Sequence, residues 1–468
     1  MGDETLYAFR AVGMLDFDAA EFQTTPLEWF DPDIPGWTRL SFHDHPPLVF
    51  LIQHIFIRLF GENNFGFRLP SAILGILSVY LIYLIGKNLF EKNVGLLAAA
   101  ILAVTVNHVF ISRIGLQESS VIFFTLLAIY FFTRALKEGR YLILTGIALG
   151  LGMLTKYTIF VLAPIFLTYL LIFDRKKFKS RKLWLGIVLS LLIFSPVIIY
   201  NLKLYQAVGH FDFQISYLLG QNPEVWQAAP GKEEIGTLSD RLHNFIPNLF
   251  LNSSWLLLFL SLLAVSTFIF FLIKKPKLAI RGNEFLIISL IYIPFLLLLI
   301  GPTRRFLAML TPFIVLMVAI ILNLIYQTFL TNKKKVSYML LAGFLGWEFI
   351  YTINSQIIPY PLGAEFLTFS EIRYENYNWG YNELGKFFDA EFKGKRPALT
   401  FDVKFQFLEK IKERALAKAR QKNLEPYPAL IIYDNNIFNA PQLWILDRLQ
   451  IYHGWPVINA ETYFKFLE

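Results

Sequence analysis

Hydrophobic and polar positions along this chain alternate in long blocks. About ten apolar segments, each roughly 15–25 residues long, are separated by short polar stretches, and that length range suits a bilayer-spanning helix. The pattern predicts spans near residues 68–89, 94–112, 117–135, 141–155, 157–173, 183–201, 252–273, 284–300, 305–329 and 336–352. Residues 47–60 (PLVFLIQHIFIRLF) are apolar but short, which predicts an interfacial helix instead of a span. Pro46, Pro70 and Pro164 are expected near helix starts, where a missing N–H costs least. Gly150 and Gly152 lie in a small-residue run that permits close helix contact.

The polar blocks sort by kind. Lys87 to Lys92, Arg134 to Arg140, Arg175 to Lys182, Lys274 to Arg281 and Lys333 to Lys335 fall on one side of the alternation. The positive-inside rule makes that side cytoplasmic. Asp3-Glu4, His43-Asp44-His45-Pro46-Pro47, Arg113 with Gln117-Glu118, Lys156 and Arg304-Arg305 fall on the other. A membrane protein that gathers carboxylates and cations at its outer face is expected to do chemistry there.

Between and beyond the spans the pattern weakens. Residues 2–46 read as an extracytoplasmic loop with little periodicity, part of a first external loop over 2–60. Residues 202–250 read as a second external loop, with Asn222-Pro223 and Pro230-Gly231 as turn signals. From about residue 354 the charge rises and long apolar runs stop. Residues 404–423 predict a charged helix, 429–434 (ALIIYD) a buried strand and 441–450 a helix. The expected organisation is a transmembrane domain over 1–353 and a small extracytoplasmic α/β domain over 354–468.

Composition adds little beyond this. Charged residues make up 17% of the 468, and 47 Phe, 22 Tyr and 9 Trp suit lipid-facing helices with aromatic belts. The net charge of +8 is accounted for by cytoplasmic loops facing anionic lipid, so no nucleic-acid partner is read from it. The absence of Cys excludes disulfides and thiolate metal sites. No apolar segment precedes Asp3, yet the alternation places residues 2–48 outside, which leads us to expect a missing first transmembrane helix.

Each polar motif has a structural and a chemical reading. Asp3 and Glu4 can serve as a general base or bind a cation, or be a solvated acidic stretch. His45 can donate to a phosphate with Asp44 orienting it, the His-Asp-His run can hold a metal, or Asp44 can simply cap a helix. Glu118 at a helix start suits the helix dipole, and it can also be a second acid opposite Asp3, with Arg113 as its partner or a phosphate contact. Lys156 interrupts some thirty apolar residues, a cost that marks it as functional unless it snorkels to the interface. Arg304, Arg305 and Arg68, the last opening the first span, can bind an anionic headgroup or anchor the interface.

Taken in order, these residues resemble the GT-C fold glycosyltransferases that use polyprenyl-phosphate sugars, in the protein O-mannosyltransferase-like and aminoarabinose-transferase-like branch. The resemblance rests on GDE at 2–4, HPPL at 45–48, FGFRLPSA at 65–72, Gln117-Glu118 before Phe123-Phe124, LTKYT at 154–158 and RRFLAMLTP at 304–312. It covers about residues 2–350. It implies a catalytic Asp at Asp3, a second acidic position at Glu118 where Asp is common, an acid and a base at Asp44 and His45, and the membrane-face Lys at Lys156.

The resemblance further implies a multi-pass plasma-membrane enzyme with its site outside. It would move a sugar from the lipid donor to a hydroxyl of a protein, glycolipid or glycan, with inversion. Glu4, Arg68, Arg113, Arg304 and Arg305 are counted among the substrate-binding residues. No cofactor is expected to be required, though the acidic pair can hold a divalent cation. A lipid-linked-sugar flippase or transporter, and a scaffold whose external domain binds a partner, are the competing readings. The first predicts charges at the bilayer midplane and broken helices.

Overall fold

The computed structural model describes residues 2–18, 24–221, 236–274, 282–360, 362–364, 379–434, 436–437 and 442–465. The turn signals Asn222-Pro223 and Pro230-Gly231, and the basic stretch 275–281, lie outside the described residues.

Every predicted apolar segment is helical. Among the described residues, six helices are long and apolar enough to cross a membrane: Asn64–Leu89, Glu118–Lys137, Arg181–Val208, Trp255–Lys274, Thr311–Leu330 and Lys334–Gln356. Lys92–Val104 and Val106–Arg113 would make a seventh span, bent by 61°. The bend departs from the single span expected over 94–112. It falls at Thr105, whose backbone is extended (φ −71°, ψ 126°) and so interrupts the helical ladder. The other three expected spans fall on the shorter apolar helices Tyr141–Met153, Tyr157–Phe173 and Glu284–Ile300. The segment read as interfacial is the helix Leu48–Phe60.

Two further expectations are corrected. The first span begins at Asn64, so Pro70 and Arg68 lie inside it and do not open it. Residues 2–13, read as an irregular loop, form the helix Gly2–Gly13. Tyr7, Ala8, Phe9, Arg10, Ala11 and Val12 are consecutive and all buried. This run places Arg10, a charged residue, inside the core, which breaks the usual sorting of polar residues onto one exposed helix face.

The chain forms two compact units. One comprises Met1–Phe67, Ile198–Pro230 and Asn378–Glu468. Its core joins the amino-terminal helix to the carboxy-terminal region: Phe9, Leu15 and Leu27 pack with Phe407, Leu408, Leu443 and Ile451. The charged helix predicted over 404–423 is Gln406–Gln421, and the strand predicted over 429–434 is Ile431–Tyr433. That strand pairs in parallel with Val457–Asn459, and Lys395–Pro397 pairs in parallel with Glu425–Tyr427. A second cluster, including Phe392, Ile431, Leu446, Leu449, Trp455 and Val457, fills the space beside these strands.

The other unit comprises Arg68–Val197 and Gly231–Tyr377 and holds most of the apolar helices. Close approach of two of them depends on Gly150, noted in the sequence, and on Gly146 and Gly186, which were not. A Cβ on Gly146 would lie 2.0 Å from the Gly186 carbonyl oxygen, and one on Gly150 2.9 Å from that of Ser190. The helices Tyr141–Met153 and Arg181–Val208 therefore meet backbone to backbone.

Candidate active site

The residues singled out from sequence form two polar groups, one in each unit. In the first unit Asp3 and Glu4 lie in the first turn of the helix Gly2–Gly13, where the helix dipole favours a carboxylate. Asp3 is exposed and Glu4 is buried. Tyr7, one turn on from Asp3 and thus on the same helix face, places its hydroxyl 3.1 Å from His45 Nε2. The other ring nitrogen of His45 is 2.9 Å from Asp44 Oδ2. Asp44 in turn accepts a 2.7 Å hydrogen bond from Arg10 Nη1.

Arg10 is fully buried and anchors a wider network. Its Nε donates to the Phe17 carbonyl at 2.8 Å, and its Nη2 lies 3.9 and 3.8 Å from Asp16 and Asp18. His43, also fully buried, meets Asp16 through Nδ1 at 2.8 Å and Asp18 through Nε2 at 3.3 Å. The His43 backbone N–H donates to Asp16 as well. Burial alone would lower the His43 pKa, but the surrounding carboxylates outweigh it and raise it to about 10. Burial likewise opposes ionisation of Asp44, yet Arg10, His45 and His43 hold its carboxyl well below the usual range.

Asp16, His43 and Asp44 bring three metal-capable donor atoms within 4.8 Å of one another. The same side chains are also engaged with one another and with Arg10. Both His43 nitrogens face carboxylates as an imidazolium would, and the Arg10 guanidinium already occupies the side of Asp44. Three carboxylates balanced by Arg10 and a protonated His43 make an internal ion-pair cluster.

The second group lies in the other unit. Glu118 opens the helix Glu118–Lys137 and is 2% exposed. Its Oε1 is 2.7 Å from Lys156 Nζ and 3.4 Å from Arg305 Nε. Lys156 sits in extended backbone just before the turn Tyr157–Val161, at a break between apolar helices. That break lets its side chain reach Glu118 without passing through a packed helix. Both cations also lie against one ring: Lys156 Nζ is 4.3 Å and the Arg305 guanidinium 5.4 Å from the Phe306 centroid. Arg305 is partly open. Glu118 Oε2 and both polar atoms of the fully buried Gln117 find no hydrogen-bond partner among the described residues.

Of the remaining predicted residues, Arg304 begins the short helix Arg304–Leu307 directly before Arg305. Arg113 ends the helix Val106–Arg113 as an exposed residue, and Arg68 is half-buried. Sequence reasoning missed Arg10, Asp16, Asp18 and Tyr7. Arg10 in a run of apolar residues was the signal available, since a cation there needs carboxylates nearby.

Residues 44–200 match the family model described as dolichyl-phosphate-mannose-protein mannosyltransferase. No curated protein matches the chain in sequence. Among solved structures, the Archaeoglobus fulgidus oligosaccharyltransferase in complex with Zn and sulfate superposes with a TM-score of 0.57 at 17% identity, over 98% of this chain and 58% of that one. The same enzyme with an inhibitory peptide and a dolichol-phosphate gives 0.54 at 15% identity, over 98% and 61%. ArnT from Cupriavidus metallidurans bound to undecaprenyl phosphate gives 0.51 at 13% identity, over 100% and 87%. The chain thus spans less than two thirds of the oligosaccharyltransferase it resembles. These likenesses establish a GT-C fold, and with the family model they bear out the resemblance read from the motifs.

Proposed function

We propose that this chain is an integral-membrane glycosyltransferase that takes a sugar from a polyprenyl-phosphate donor to an acceptor hydroxyl. The observation that carries the reading is Glu118 with Lys156 and Arg305. A buried carboxylate that draws two cations together beside a break between apolar helices gathers the groups that would meet a lipid phosphate. The solved relatives named with dolichol-phosphate and undecaprenyl phosphate support the donor class.

In this reading Asp3 takes the proton of the acceptor hydroxyl. The acceptor oxygen forms its bond to the anomeric carbon as the bond from that carbon to the phosphate oxygen breaks, inverting the centre. Polyprenyl phosphate leaves with the electron pair, and Lys156 and Arg305 stabilise the charge that develops on it. Glu118 keeps both cations oriented and offers Oε2 to a hydroxyl of sugar or acceptor. By the resemblance, His45, held by Asp44 and Tyr7, is assigned as a further donor to phosphate, and Glu4, Arg68, Arg113 and Arg304 to substrate binding. Alignment of acceptor and donor supplies much of the rate.

The active face and residues 354–468 would lie outside the plasma membrane, with about ten spans in all. The segment 202–250 and residues 354–468 would select a protein, glycolipid or glycan acceptor. The test is transfer from a panel of radiolabelled polyprenyl-phosphate sugars in detergent, comparing the native chain with Asp3→Asn and Lys156→Met. A sugar-specific product lost in both variants supports the reading. Donor binding without transfer to any acceptor, equal in native and Asp3→Asn proteins, moves the flippase reading ahead.

A further inference from the structure

The segment that delivers Arg305 to Glu118 is short and cannot hold itself. It leaves the helix Glu284–Ile300, turns at Gly301 and Pro302, and begins the four-residue helix Arg304–Leu307. Gly301 adopts φ 92°, a backbone conformation that a residue with a Cβ takes up at a cost. The last carbonyls of a helix have no partner within it, and Pro302 brings no N–H of its own.

Those carbonyls are taken up by one face of the helix Leu238–Leu251 and the residue that ends it. Arg241 Nη1 donates to the carbonyls of Leu298 at 3.1 Å and Leu299 at 2.7 Å. Asn248 Nδ2 donates to Pro302 at 2.9 Å, and Asn252 Nδ2 to Arg304 at 2.7 Å. Residues 241, 248 and 252 are spaced seven and four apart, which aligns them along one side of a helix. A guanidinium at a helix carboxy terminus also meets the negative end of its dipole.

Asn252 is itself held in place. The next residue but one, Ser254, accepts from the Leu257 N–H at 3.0 Å and donates to the buried carboxyl of Glu348. A neighbouring stripe of the helix carries Leu238, Leu242, Ile246 and Phe250, all about half exposed. This exposed apolar stripe lies beside the exposed polar residues Ser239, Asp240, His243 and Asn244, a pairing that suits a helix lying in a membrane interface.

We propose that the helix Leu238–Leu251 is a positioning element, and that Arg241, Asn248 and Asn252 fix the backbone of residues 298–304 so that Arg305 meets Glu118. The consequence for ligand binding rests on the donor reading above. The clamp itself does not. Arg241 and Asn252 act through the backbone of residues 298–304 and are positioning residues.

The absence of native Cys allows a single nitroxide label at exposed Thr303 through Thr303→Cys. In the full chain in lipid nanodiscs, the label spectrum should show greater mobility when Arg241→Ala and Asn252→Ala are combined. It should not change with Asn244→Ala, an exposed residue of the same helix, and Arg241→Lys should restore part of the restraint. Undecaprenyl phosphate affinity should fall about five- to tenfold in the double variant, the scale of lost hydrogen bonds to a charged or oriented group. In an Arg305→Ala background the double variant should cause no further loss.

An immobile label in the Arg241→Ala/Asn252→Ala protein overturns the proposal, as does a binding loss that adds in full to that of Arg305→Ala. A label that gains mobility in a protein whose native form binds no polyprenyl phosphate supports the clamp and rejects the donor reading.

Discussion

Lys156 Nζ and Glu118 Oε1 lie 2.7 Å apart across 38 residues of sequence, both nearly or fully removed from solvent. The pair matters because neither charge is tolerable alone at that depth. An ion pair retained in an apolar helical unit, with a second cation beside it, is a costly arrangement that function can justify.

Breaking that pair should show as lost stability as well as lost binding. Lys156→Met leaves Glu118 buried with Arg305 alone, and a buried carboxylate stripped of a partner costs about 3–5 kcal/mol. The thermal midpoint of the purified protein should drop accordingly. Adding Glu118→Gln to Lys156→Met should regain most of that stability and none of the phosphate binding.

The buried cluster of the first unit should respond to the shape of its cation. Arg10 reaches Asp44 and the Phe17 carbonyl at the same time through its fork. Lys cannot make both contacts in one geometry. Arg10→Lys should lower the thermal midpoint, and Arg10→Met should lower it further, because Asp16, Asp18 and Asp44 would then lose the guanidinium they share.

The same cluster sets a pH window. His43 has a folded-state pKa raised to about 10 from 6.5, so its contribution is complete below 6.5 and is lost as pH rises through about 10. Asp44 is shifted the other way, so its contribution is present above 3.8 and is lost as pH falls below that value. Glu62, lowered to about 2 by His453 and Arg448, loses its contribution over 4.5 down to about 2. Stability measured against pH should therefore fall on both flanks. His43→Asn should flatten the alkaline flank and leave the Glu62 part of the acid flank in place.

Helix contact should be sensitive to a single methyl group. Gly146→Ala puts a Cβ 2.0 Å from the Gly186 carbonyl oxygen, so the two helices must move apart. Overpacking of this kind costs about 1–3 kcal/mol. Gly139→Ala, with nothing within 4 Å of the new atom, should leave the thermal midpoint unchanged.

The apolar helices were legible because their signal is local: a long run of nonpolar residues needs no partner to be recognised. The helix Gln406–Gln421 and the strand Ile431–Tyr433 were legible for the same reason, through their own periodicity. Glu118, Lys156 and Arg305 stood out because charge beside apolar runs is expensive. The Arg10 cluster did not stand out, since Asp16 pairs with His43 27 residues away and Arg10 with Asp44 34 away. Such pairings follow from packing and leave no spacing rule in the sequence. The helix Gly2–Gly13 was hidden by the buried Arg10 that breaks the sorting of polar residues onto one face, and the clamp on residues 298–304 by its use of backbone carbonyls, which carry no residue identity.

The most direct test of the central claim is the binding of undecaprenyl phosphate to the purified chain, measured alongside Lys156→Met and Arg305→Ala. If these cations receive a lipid phosphate, the native protein binds it saturably, and each variant loses roughly tenfold or more in affinity, the loss of one charge-assisted contact. Native-like affinity in both variants would contradict the assignment of the Glu118, Lys156 and Arg305 group as the donor site.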